Sequence, residues 1–355
     1  MMTRWTLGTA AVVAMLVTGC ERQADQSGAT QPAPTRTAGA QEVVVYTAVD
    51  QVFSEPILND FEARTGIRVR AVYDAESTKT IGLVNRLRAE KSRPRCDVFW
   101  NNEIVNTVRL NEEGLFQAYR SPAAAGYPER FRDPQDAWCG LATRARVLIV
   151  NTNLVKPEEL PTTVRDLADP RWKGRIGIAK PLFGTNASHV ALLFAKLGAA
   201  DAKSLLAAIK ANGVQVLGGN KIVAEAVGAG RLAIGLTDTD DAVAETDAGH
   251  PVKIVYPDGA PDGMGTVLLP NTVSLMKDCP HPETGKRLID YLLSPEVEAR
   301  LAEGPSAQIP LNLATTARSR VGELKDIRPM DVDLAKGAAE FDAAMRYLEQ
   351  EFLAP

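Results

Sequence analysis

From Glu42 onward, short apolar runs alternate with amphipathic stretches, and this alternation most limits the folds open to the chain. "EVVVYTAV" reads as a buried strand, and "EPILNDFEARTG" as a helix with Ile57, Leu58 and Phe61 on one face and Gly66 as its stop. "IRVRAVYD", "TIGLVNRLRAEK", "CDVFWNN" and "EIVNTVRLNEEG" continue as strand, helix, strand, helix. The pattern predicts α/β layers built on mainly parallel sheets. Ligands of such sheets sit beyond the carboxyl ends of the strands, so the loops "AVDQ", "AEST" and "NNE" are expected to face one cleft.

The second half repeats the alternation with new elements. "RARVLIVNT", "GRLAIGLTD" and "HPVKIVYPD" read as strands, "HVALLFAKLGA" and "DAKSLLAAIKANG" as helices, and "VRDLADPRWKGRIGIA" as a helix, a proline turn and a strand. Two blocks of this size can form two packed lobes, with "RARVLIVNT" and "TVLLPNTVSLMK" as the crossing segments of a hinged cleft. The expected N-lobe comprises residues 42–144 and about 266–310, and the C-lobe residues 145–265 and about 311–355.

The amino terminus indicates the compartment. "MMTRWTLGTAAVVAMLVTGC" has Arg4 near its start, an apolar run too short to span a bilayer, and small residues ending at Cys20. Residues 1–19 are therefore expected to be a signal peptide, with Cys20 lipidated. Residues 20–41 are polar and rich in Pro, Gly, Ala and Thr, as suits a tether. This predicts a periplasmic or cell-surface lipoprotein held to a membrane by its lipid, at either membrane face. A formal net charge of −4, with no block of Lys or Arg, disfavours nucleic acid as a partner. Cys96, Cys139 and Cys279 are left in the body; a Cys96–Cys139 bridge and three buried free thiols are both open.

Enzyme signatures are missing. There is no GxSxG elbow, HExxH, Walker loop or CxxC, and His189, His250 and His281 are scattered without metal-ligand spacing. Ser188 beside His189 is a poor nucleophile–base pair, since neighbours in sequence rarely face one another. Binding is the expected activity, with no catalytic residue assigned.

Polar groups at the predicted strand ends are the candidate ligands. "AESTKT" puts Ser77, Thr78, Lys79 and Thr80 at a strand-to-helix turn, and "LFGTNASH" offers Gly184, Thr185, Asn186 and Ser188 in a similar place; both suit a phosphate-like or carboxylate group, or simply a helix cap. Asp238, Asp240 and Asp241 lie within four residues at the end of the strand "AIGLTD". Asp238 or Asp241 is expected to cap the following helix, and Asp240 to face the cleft. Tyr46 and Trp100 either line the cleft or belong to the core.

The lipobox, the tether, "VVVYTAVDQVFSEPILNDFEARTGIRV", "DVFWNNE", "LADPRWKGRIGIAKP", "LAIGLTD" and "LIDYLLSPEVE" together resemble the extracellular solute-binding proteins of ABC importers. Within that group the chain is similar to the periplasmic ferric-iron-binding branch, over about Glu42 to Ser306. The resemblance implies a two-lobed periplasmic-binding-protein fold of type II-like topology and delivery of a solute to a permease and its ATPase. In that branch adjacent tyrosines bind Fe(III); the matching positions here hold Asp240 and Asp241. Asp50 stands where the branch has a ligand histidine, and Asn102, or Glu103 with the register slipped by one, where it has a glutamate. The implied metal set is thus Asp50, Asn102, Asp240 and Asp241, all oxygen donors suited to Fe(III) or another hard cation carried as cargo. The alternative ligand is a small organic anion or zwitterion such as an aminophosphonate. An envelope sensor partner, or an enzyme on the same scaffold, is a more distant alternative.

Overall fold

The computed structural model describes residues 41–74 and 80–354. Cys20 and its tether, and with them Ser77, Thr78 and Lys79, lie outside the described residues. Among the described residues no helix is long and apolar enough to cross a membrane.

The first α/β block follows the sequence pattern closely. Strand β1 (Glu42–Thr47) leads into α1 (Gln51–Thr65), β2 (Arg68–Tyr73), α2 (Ile81–Ala89), β3 (Val98–Asn101), α3 (Val105–Glu112) and the short β4 (Phe116–Gln117). Ile57, Leu58 and Phe61 form the buried face of α1. The helix ends at Gly66, which takes the left-handed conformation at φ +67° that a side chain would disfavour. β1 pairs in parallel with both β2 and β3, so the loops after β1 and β3 open at the same edge.

A long strand, β5 (Cys139–Asn151), then passes from one sheet to the next. Its first part pairs with β10 (Leu268–Met276), and its second part with β8 (Ile234–Asp238) and β9 (Val252–Val255). The strand order β2-β1-β3-β10-β5-β8-β6-β7 is completed by β6 (Ile176–Ala179) and β7 (Gln215–Leu217). Where β5 changes sheets, the β10 register shifts between Pro270 and Asn271, and Ala142 adopts φ +35°. The Asn271 amide donates to the Ala142 carbonyl at 2.7 Å, which holds the bend.

In the second block α4 (Gly184–Leu197) and α5 (Ala199–Ala211) pack on one another, and α6 (Asn220–Gly228) and α7 (Thr239–Asp247) flank β8. α8 (Pro282–Leu292) and α9 (Pro295–Glu303) return to the first sheet, and α10 (Leu334–Tyr347) lies against α3 and α4. The apolar core takes Val45, Val98 and Phe99 from the first sheet and Ile176, Ile234 and Leu236 from the second.

One expectation needs correction. "VRDLADPRW" forms two 3₁₀ turns, Val164–Ala168 and Pro170–Trp172, instead of an α-helix, because the residue before a proline avoids the α conformation; Asp169 is extended at ψ 125°. The cysteine question resolves against a bridge: Cys96, Cys139 and Cys279 are all free and buried. Tyr46 and Trp100 sit in the core, 1 % and 0 % exposed.

Candidate functional site

The ends of β6 and β8, Arg144 from the middle of β5, and the starts of α4, α6 and α7 enclose a cleft of 770 Å³. Asp50, Asn102, Gly184, Thr185, Asp238, Asp240 and Asp241 all line it, so residues up to 191 positions apart in sequence meet at one place. Of the two register choices at β3, Asn102 reaches the cleft. Glu103 is fully buried behind it, accepting hydrogen bonds from the Ser188 hydroxyl at 2.5 Å and the Asn106 amide at 3.1 Å.

The pairing of β5 with β8 sets the electrostatics. Its antiparallel register puts Arg146 opposite Asp238, and strand periodicity brings Arg144 to the same face. Arg146, 1 % exposed, donates to the Asp238 carboxylate at 2.7 Å, to Asn186 at 2.8 Å and to Asn220 at 3.1 Å. Thr185 and Asn220 also donate to Asp238, at 2.6 and 2.9 Å. Burial alone would raise the Asp238 carboxyl; Arg146, Arg144 and the Thr185 hydroxyl outweigh it and hold the group below its usual range. Asp238 therefore stays ionised.

These bonds overturn one expectation about the Asp cluster. Asp238 occupies the N-cap position of α7, but its side chain makes no capping bond, because Arg146, Thr185 and Asn220 take its oxygens. Asp240 and Asp241 stand in the first turn of α7, where the helix end favours negative charge. One oxygen from each of Asp238, Asp240 and Asp241 lies within 4.8 Å of the others.

Arg144 is a cleft residue that the sequence reading missed. Its guanidinium lies 3.7 Å from Asp240 and 3.9 Å from Asp238, and it donates to the Asn102 carbonyl. Burial would lower its pKa, yet Asp240, Asp238 and Asp50 together raise it, so the group remains a cation. Its Nε is buried without a hydrogen-bond partner. Behind it, His189 is driven down to about 3 by burial and by Arg146, so it is neutral, and it accepts from Arg146 at 3.4 Å. The sequence did carry a signal for both arginines: "TRARV" inserts two charges at alternate positions of an apolar strand. Asn220 gave less, since α6 begins directly after two glycines and has only nine residues.

Comparison with known proteins agrees with this architecture. The sequence profile of a family described as bacterial extracellular solute-binding protein matches residues 106–335. The chain belongs to that family. Iron uptake protein A1 of Synechocystis sp. is 28 % identical over 335 residues, covering 90 % of this chain and 89 % of its own. A Salmonella typhi protein named for periplasmic binding of 2-aminoethylphosphonate is 26 % identical over 245 residues, 68 % of this chain and 69 % of its own. Iron-bound HitA from Pseudomonas aeruginosa superposes with a TM-score of 0.78 at 22 % identity, covering 86 % of this solute-binding protein and 98 % of HitA. The fold is accordingly that of a two-lobed periplasmic binding protein, with the cleft between lobes.

Proposed function

We propose that this solute-binding protein captures a hard cation in the cleft and presents it to an ABC permease, while Cys20 tethers it to the membrane. The observation that carries the reading is the convergence of Asp240 and Asp241, one oxygen of each within 4.8 Å of the other, on the wall of a 770 Å³ cleft that Asp50 and Asn102 also line. Carboxylate oxygens at that separation suit ions that prefer oxygen ligands, such as Fe(III), Mn(II) or Ca(II). Iron is the first choice, because the Synechocystis relative is named for iron uptake and HitA binds iron. The lobe division given by the sequence puts Asp50 and Asn102 on one wall and Asp240 and Asp241 on the other, so ligation across the cleft would favour closure.

A second reading is favoured by Arg144, whose buried Nε retains an unused donor beside the carboxylates. A zwitterion such as 2-aminoethylphosphonate could set its anion on Arg144 and its amine on Asp240 or Asp241, in keeping with the Salmonella relative. Thermal melts of chelator-stripped protein with iron(III) citrate, Mn(II), Ca(II) and 2-aminoethylphosphonate separate the two. The first reading expects stabilisation by at least one of the cations and none by the phosphonate. Stabilisation by the phosphonate alone would refute it.

A further inference from the structure

Three helices begin at the cleft without a side-chain cap. The N-cap residues of α4, α6 and α7 are Phe183, Gly219 and Asp238, and none of their side chains bonds to the free N–H groups that follow. Gly184 opens α4 at φ +51°, a left-handed conformation that glycine adopts without strain. Convergent helix starts carry partial positive charge and ordinarily attract an oxyanion. Two polar side chains from these turns, Thr185 and Asn220, aim their donors at one point, and Arg146 adds a guanidinium from β5. That point is occupied. The Asp238 carboxylate, 2 % exposed, accepts from all three at 2.6, 2.9 and 2.7 Å.

We propose that Asp238 is a resident anion: it fills the oxyanion place at the starts of α4 and α6, so this floor of the cleft rejects anionic groups and selects cargo that presents positive charge. The inference rests on the cleft being the solute site. It deepens that reading by assigning a selectivity role to a residue whose hydrogen bonds otherwise look purely structural. Charge bookkeeping supports it. With Asp238 ionised, the buried Arg146 is neutralised by the chain itself, and a solute need bring no counter-charge. Without it, Arg146 is an unpaired cation in a closed pocket, a situation costly enough that an external anion would be drawn in. Among the described residues, three other cations line the cleft: Arg144, whose guanidinium lies 3.9 Å from the same Asp238 oxygen that Thr185 and Asn220 bond, and Lys180 and Lys221. An anionic part of a cargo would meet those side chains and not the filled floor.

The test uses inorganic phosphate as probe and full-length protein in mild detergent, followed by thermal melting and by calorimetric titration. Asp238→Asn keeps the shape and removes the charge. It should bind phosphate about tenfold or more tightly than wild type. Wild-type protein should show either no phosphate binding or binding that Thr185→Val leaves unchanged, which places the ion away from the floor and leaves the floor filled. Two results overturn the proposal: wild-type phosphate binding that Thr185→Val abolishes, or a folded Asp238→Asn that gains no affinity for phosphate. Should Asp238→Asn fail to fold, Asp238→Ser removes the same charge and leaves room for the ion, and the wild-type and Thr185→Val titrations decide independently. None of these readouts involves a metal. A wild-type protein that bound no cation would refute the cation reading while the phosphate results still judged Asp238.

Discussion

Arg144 and Arg146 are two residues apart on one strand and both meet the Asp238 carboxylate, at 3.9 and 2.7 Å. Arg146 neutralises Asp238 in a site closed to water, so Arg146→Met leaves a buried carboxylate without its partner; the expected loss is about 3–5 kcal/mol of stability, measured by denaturant unfolding. Asp240 touches the cleft and sits in the first turn of α7. Asp240→Asn should lower cation affinity about tenfold or more and, because its carboxylate lies 3.7 Å from the buried Arg144, also cost about 1–3 kcal/mol of stability, read by calorimetry beside a melt. The carboxylate cluster was legible in the sequence because three Asp residues follow an apolar strand. The fate of Asp238 was not, because it depends on the β5–β8 register, which only long-range pairing fixes.

Helices and strands with a clear period could be read directly: β1 to α3, β5, β8 and α5 appear where the periodicity puts them. Elements too short to show a period were missed, among them β7 with three residues and α6, whose nine residues start after Gly218 and Gly219. One element carries a pH dependence. Glu298 on α9 is 0 % exposed and accepts backbone N–H groups from Ala142 at 2.7 Å and Leu311 at 2.8 Å, so it ties α9 to the bend of β5. Burial pushes its carboxyl up to about 7, against those hydrogen bonds. The folded state therefore holds this proton more tightly than the unfolded chain. The contribution is fully present below about 4.5 and is lost as pH rises to about 7, on the order of 3 kcal/mol in all. Chemical denaturation of wild type and Glu298→Gln at several pH values checks this. The variant should lack that part of the slope between about 4.5 and 7, and identical slopes would contradict the assignment.

At the scale of the molecule, one strand shared by two sheets gives a cleft whose walls come from distant parts of the chain. That architecture was legible from the alternation of strands and helices. Ligand preference was not, because it depends on a handful of side chains whose neighbours the sequence does not reveal. A cargo that touches both walls stabilises the closed form, and at a hundred times its dissociation constant it should add about 2.7 kcal/mol to unfolding stability. Small-angle scattering should show a smaller radius of gyration with cargo than without it. The central claim, that carboxylates of α7 hold a cation, is tested most directly by counting bound metal. Chelator-stripped wild type and the Asp240→Ala/Asp241→Ala double variant are dialysed against iron(III) citrate, desalted, and assayed for iron per chain. The account predicts iron retained by the wild type in near-stoichiometric amount and lost from the folded double variant. Equal iron in both, or none in either, would contradict it.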